Sequence, residues 1–336
     1  MEFYSMQHRA FSRDILFSLR FSLAPFGLLL LGKIFFELLA FRFPELNQSL
    51  IQSFSEMKEH SLSVSFQEAK ARILWLTSVI LYFFVCSAFI AFIWNTLKKS
   101  LTKSSIAVLI SIVAFYSVSE IAYLHQTVVN ESPLVTLFRF TFDSLQASKQ
   151  YSLNELSRIS LTLSIINFVA IIIAPLGIVT GCCIMHGCIP HNKVGLESLL
   201  KKSKYIKELL VGGSAVMVIG ILHMQLWLNW PVIFVADDTA RQQMETVTLA
   251  VSQYWGVIYT LTMAAIYIPS AFSLSEQARE LVDLENNQVQ KINPEAWLSE
   301  NKMLLSINGQ LPQLVAVIAP MLTGALGSTF NGFTFF

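Results

Sequence analysis

Residues 73–97 read ILWLTSVILYFFVCSAFIAFIWNTL. No Asp, Glu, Lys or Arg interrupts the run. An α-helix rises ~1.5 Å per residue, so about 20 apolar residues cross a hydrocarbon layer of ~30 Å. A water-soluble helix shows a polar face at a 3.6-residue period, and this stretch has none, so it reads as a membrane span.

Five further segments extend the same reading. They are about 15–41, with FSLAPFGLLLLG at its centre; 105–124; 159–185, containing FVAIIIAPLGIVTG; about 209–230; and 247–268. A seventh apolar stretch, 311–330 (LPQLVAVIAPMLTGALGSTF), is interrupted by Pro320, Gly324 and Gly327. It can re-enter, pack on the bundle or cross, and the interruptions favour the first two. The expected fold is an all-α integral membrane protein of six transmembrane helices, with this seventh segment and a short cytoplasmic helical tail. Its parts are a bundle over 1–272, a tail over 273–310 and an apolar segment over 311–336.

Composition agrees. Of 336 residues, 54% are hydrophobic and 13% charged, where an ordinary soluble domain carries about 25% charge. Mean hydropathy is +0.57. So little charge cannot cover a soluble surface of this size. The net charge of +1 provides no field for nucleic acid. Four cysteines do not make a disulfide framework.

The first span follows Arg9 and Arg13 and continues through Lys33 into IFFELLAF without a small-residue cleavage site. It reads as an uncleaved anchor. Orientation follows from Lys and Arg in short loops. The 186–208 loop carries Lys193, Lys201, Lys202, Lys204 and Lys207, whereas 231–246 carries only Arg241. With six spans, this contrast places both termini in the cytoplasm of a bacterial inner or plasma membrane.

Two outer loops have helical spacing of apolar residues: Leu50, Phe54 and Met57 in 45–72, and Leu134, Leu137, Phe138, Phe142 and Leu145 in 134–146. Each fits a helix in the headgroup plane or a helix capping the bundle. FRFTFD (138–143) also alternates at period two, which admits a short strand. The tail segment SEQARELVDLENNQVQKI is amphipathic and acidic, with Glu280 and Asp283 in its first half. It lies on the same expected face as Lys201, Lys202 and Lys204, so docking of one stretch on the other is an expectation.

Two spans carry matching breaks, Ala24-Pro25-Phe26-Gly27 and Ala174-Pro175-Leu176-Gly177. Proline removes a backbone donor and clashes with the preceding turn, so kinks are expected at Pro25 and Pro175, loosened by Gly27 and Gly177. Matched breaks in two inverted halves are a pointer to a transporter site. Residues 318–327 (IAPMLTGALG) repeat the Ala-Pro element, however, and glycines number only 14, so kinks that merely shape the bundle are the plainer reading.

Ionisable groups at membrane depth are costly and mark function. Beside Arg20, they are Lys33, Glu37, Glu120 and His223. Lys33 and Glu37 are four apart and can pair on one helix. Glu120 is a candidate proton or cation site or an interfacial carboxylate, and His223 a neutral histidine bonded to another helix. Cys182, Cys183, His186, Cys188 and His191 are zinc-type ligands. They match no standard spacing and Pro190 bends the chain through them, so no metal and no cofactor are assigned. The P-loop, H-E-x-x-H and G-x-S-x-G motifs are absent, so no catalytic role is assigned.

Two function classes stand. One is a permeation pathway (a channel, pore-forming effector or transporter) at the kinked helices, lined by Pro25, Gly27, Pro175, Gly177, Lys33, Glu37, Glu120 and His223. The other is a non-transporting scaffold that recruits a cytoplasmic protein through the acidic tail and basic loop. The expected partners are the lipid bilayer, a second copy of the chain or a cytoplasmic protein.

Overall fold

The computed structural model describes residues 22–38, 62–100, 103–129, 133–148, 150–186, 196–235, 237–286 and 307–332, with isolated positions 293, 296 and 300. Among them every regular element is a helix. In chain order these are α1 (22–38), α2 (Leu62–Ser100), α3 (Lys103–Val129), α4 (Pro133–Ala147), α5 (Leu153–His186), α6 (Leu196–Asn229), a 3-10 turn (Trp230–Phe234), α7 (Asp238–Asn286) and α8 (Ile307–Gly332).

Among the described residues, four helices are long and apolar enough to cross a membrane, lying within α2, α5, α6 and α7. Shorter apolar stretches occupy Leu109–His125 of α3 and Gln310–Leu326 of α8. Four of the six expected spans are thus matched among the described residues by helices of sufficient length and apolarity. The outer surface explains the composition: Ile80, Phe84, Phe115, Val118, Leu161 and Phe168 all point outward. Exposed apolar area on this scale belongs against lipid.

Local signals set the helix ends. Ser152 and Glu155 form a reciprocal cap at the start of α5: Glu155 N–H donates to Ser152 Oγ (3.3 Å), and Ser152 N–H to Glu155 Oε2 (2.8 Å). Asp237 caps α7 by accepting from the N–H groups of Thr239 (3.2 Å) and Ala240 (2.9 Å).

At four places the helices choose among the expected alternatives or run past an expected bound. First, FRFTFD is helical, inside α4. Leu137, Phe140, Thr141 and Leu145 recur at helical spacing and are buried. A lone strand there has no partner for its backbone groups, whereas a helix satisfies them internally. α4 caps the bundle end: Trp227 Nε1–H donates to the Phe138 carbonyl and Thr141 Oγ1 to the Trp227 carbonyl, each at 3.1 Å. Second, α7 runs unbroken from Asp238 to Asn286 through Pro269. The helix passes through 272/273, where the bundle was expected to give way to the tail, and Leu274 and Ala278 beyond that point are buried. Third, residues 62–72 of the first outer loop extend α2 instead of forming a separate element; 45–61 lie outside the described residues. Fourth, 311–330 fall within one helix despite Pro320 and its glycines.

α8 packs antiparallel on α7. Tyr267 donates to Gln310, Met321 N–H donates to Thr260 Oγ1 (3.2 Å), and Gly324 approaches Ser252. A Cβ on Gly256 would meet the Pro320 carbonyl oxygen at 2.7 Å, and one on Gly324 the Ser252 carbonyl oxygen at 2.5 Å. Two glycines thus let the backbones touch, as in small-residue crossings of membrane helices.

The larger core cluster joins α2, α4, α5, α6 and α7 around Trp75, Trp227 and Trp230. Trp75 lies 5.5 Å from Trp227 and 5.3 Å from Trp230 between ring centroids. A second cluster joins Leu199, Ile206 and Leu210 of α6 to Met263, Tyr267, Leu274 and Ala278 of α7 and Val317 of α8.

Candidate functional site

α1 lies between α3 and α7. On one side Phe26 stacks on Tyr116 of α3, centroids 3.8 Å apart and planes 11° from parallel. On the other, the Tyr254 hydroxyl of α7 donates to the Gly32 carbonyl at 2.6 Å. A Cβ at Gly32 would meet Ile258 at 3.0 Å, so the absent side chain permits this approach. Phe36 packs on Tyr254 and Trp255, at 5.4 and 6.0 Å.

These contacts bring three of the sequence-selected charges together. Lys33 of α1 pairs with Glu120 of α3, not with Glu37 one turn along its own helix. Its ammonium also lies 5.4 Å from the centre of the Tyr123 ring, a cation–π arrangement. Glu37 Oε1 and the Tyr123 hydroxyl are both buried and have no hydrogen-bond partner among the described residues. A carboxylate oxygen held from water without a partner costs about 1–3 kcal/mol or more. Among the described residues, Lys33 is matched by Glu120 and no cation pairs with Glu37.

The two kink prolines stand apart from this arrangement and on different helices. Pro25 is buried on α1, while a Cβ at Gly27 would meet nothing within 4 Å. Pro175 is buried inside α5, which continues through it. Beside it the space is filled: the Phe89 ring of α2 rests on Gly177 of α5 and Gly212 of α6, with Gly213 at its edge. Cβ atoms at those positions would lie 3.3, 2.6 and 3.8 Å from the ring.

His223 belongs to the tryptophan cluster, with Trp75 and Tyr82 at 6.0 and 6.4 Å. Ser78 Oγ donates to the Trp75 carbonyl at 2.6 Å, so it accepts from His223 Nδ1, 3.2 Å away. This assigns the proton to Nδ1 and ties α2 to α6. Gln225 reaches toward the Thr323 and Gly324 carbonyls of α8 at 3.5 Å.

Cys182 and Cys183 are buried on α5 and form no disulfide among the described residues. Cys188 and His191, and the side chain of His186, lie outside the described residues. Of the docking residues, Lys204 pairs with Glu208 on its own helix at 3.7 Å. Lys201 and Glu280 are exposed, Lys202 is half-buried, and the Asp283 side chain lies outside the description. α6 and the extension of α7 do run side by side, through Leu199, Ile206, Leu274 and Ala278.

Sequence reading missed Tyr123, Phe89 and the close approaches at Gly256 and Gly324. The adjacent Gly212-Gly213 and the Ser252-x-x-x-Gly256 and Pro320-x-x-x-Gly324 spacings were the available signals.

The fold therefore defines an all-helical bundle whose longest helices have the length and polarity of membrane spans. No family model, curated protein or solved structure matches the chain.

Proposed function

We propose that the protein forms a permeation pathway for protons or small cations, with its selective site at Lys33, Glu37, Glu120 and Tyr123. The observation that carries this reading is the buried, unpartnered Glu37 oxygen beside a satisfied Lys33–Glu120 pair. Ionisable groups gathered at membrane depth from two helices are costly unless they are used. The accompanying topology is six spans, α1 and α3 included, with the N-terminus in the cytoplasm of a bacterial inner or plasma membrane. Antiparallel packing of α8 along α7 supports a seventh crossing.

The scaffold reading is favoured by one observation: Phe89 fills the space beside Gly177, so the bundle centre is dry there. In that reading the acidic α7 extension and Lys201, Lys202 and Lys204 engage a cytoplasmic protein. Gly27 separates the two. In a background with the native cysteines replaced, Gly27→Cys is accommodated, since a Cβ there meets nothing within 4 Å. A water path along α1 makes this thiol react with a membrane-impermeant reagent in native vesicles. Reaction only after denaturation contradicts a pathway along α1.

A further inference from the structure

Two oxygen atoms are left over where α1 meets α3. Lys33 and Glu37 are four apart on α1, and Glu120 and Tyr123 three apart on α3, so each pair shares a helix face and the two faces meet. Both α3 residues engage Lys33, one through its carboxylate and the other through its ring. Glu37 Oε1 and the Tyr123 hydroxyl are shut from solvent, and neither makes a hydrogen bond among the described residues. The carboxylate is close enough to act electrostatically on the phenol, yet no direct hydrogen bond joins them. One is an acceptor and the other can both donate and accept. A single bridging water satisfies both. The titratable group that α7 packs on α1 is Tyr254, whose hydroxyl is committed to the Gly32 carbonyl; on α3, His125 is exposed.

Two cargoes differ in what they ask of such a site. A hard metal cation takes about six or more oxygen ligands. The described residues offer two unpartnered oxygens here, and nowhere do they gather three acidic, histidine or cysteine side chains fit to hold a metal. A metal ion would also stand as a second cation beside Lys33. A proton asks for one acceptor, and on Glu37 it leaves a neutral carboxyl.

We infer that the cargo of this site is the proton, and that Tyr123 relays it to Glu37. A proton from hydronium adds to the Tyr123 oxygen as the phenolic proton passes to the bridging water, which gives one of its own to Glu37 Oε1. The phenol and the water are restored, and the carboxylate becomes a neutral carboxyl. The reverse transfer returns the proton. The inference rests on the reading of Lys33, Glu37, Glu120 and Tyr123 as the selective site, but proton binding at Glu37 is measurable without transport.

The test uses the full chain in liposomes, with the pH-difference infrared spectrum and ion-gradient decay as its two readouts. The protonated-carboxyl band that Glu37→Gln removes belongs to Glu37; absence of any such band overturns proton binding there. The band is expected to move to higher frequency in Tyr123→Phe, which keeps the ring over Lys33 and removes the hydroxyl. A band unmoved in that variant overturns the relay. In the wild type, the band should keep its titration midpoint when choline is exchanged for sodium or potassium at constant ionic strength. A midpoint that falls as sodium or potassium rises overturns the proton in favour of a metal ion, and this arm needs no variant to fold. In the same liposomes, with charge movement compensated, an imposed proton gradient should decay, and about tenfold more slowly in Tyr123→Phe. Bands as expected with every gradient intact refute permeation and leave the proton site standing. Decay of a sodium or potassium gradient beside an intact proton gradient overturns the proton as cargo.

Discussion

Lys33 and Glu37 show how far a residue-level pattern reaches. Their spacing of four correctly places them on one helical face, yet the ion pair forms with Glu120 on another helix. Sequence spacing gives neighbours within a helix; which helix lies opposite is decided by packing of the whole bundle. The same holds for Phe89, one of many phenylalanines until three glycines from two helices surround it. That fit is testable. Gly212→Ala sets a methyl 2.6 Å from the Phe89 ring, and overpacking of a tight core costs about 1–3 kcal/mol. A lower thermal midpoint is expected, with partial recovery on adding Phe89→Leu; independent, additive losses contradict the cradle. Tyr151, between α4 and α5, gives a pH prediction. Burial first, and then its hydrogen bond to the Glu68 carboxylate, raise its pKa above the ordinary 10.0. The folded state thus favours the neutral phenol. Its contribution to stability is complete below about pH 10 and is lost as pH rises through the raised folded value. Wild type should lose stability above pH ~10 more steeply than Tyr151→Phe, as measured by denaturant unfolding; parallel profiles refute the assignment.

Among the elements, α2, α5 and α6 follow directly from apolar runs, since nothing in those stretches offers a competing structure. α4 was legible only in part. Phe138, Phe140 and Phe142 alternate as a strand does, while Leu137, Thr141 and Leu145 keep helical time, and the contacts to Trp227 select the helix. α8 was the hardest, because Pro320 and its glycines look like interruptions. Their role emerges only with α7 in place: Gly256 and Gly324 are where two backbones meet. Gly324→Leu should therefore separate α8 from α7. A cysteine pair at Thr260 and Met321, positions already in hydrogen-bond contact, should cross-link in the parent protein and fail to do so when Gly324→Leu is added. Undiminished cross-linking contradicts the close crossing.

For the whole molecule, membrane character was readable from composition alone, because 13% charge leaves no alternative surface. Topology was less so. α7 extends through 49 residues, about 70 Å of helix, well beyond one bilayer. Charge bias therefore has to say where the hydrocarbon lies. α8 retraces α7 from Tyr267 to Ser252, a rise of about 20 Å, most of the membrane depth. Impermeant labelling of single cysteines is expected to place residue 300 on the cytoplasmic side and residue 336 outside; both on one side contradicts the seventh crossing. The site itself was legible as a list of ionisable residues but not as a cluster, since α1 and α3 are separated by α2 in sequence.

The most direct measurement is dissipation of an imposed proton or potassium gradient by the full chain in proteoliposomes, beside Glu37→Gln at equal, folded incorporation. Glu37→Gln keeps the shape and removes the charge. The wild type should collapse one of the two gradients and the variant should do so about tenfold more slowly, the ~1.4 kcal/mol expected of one lost charge-assisted contact. Gradients that persist in both preparations, or collapse equally fast, contradict a pathway controlled at Glu37.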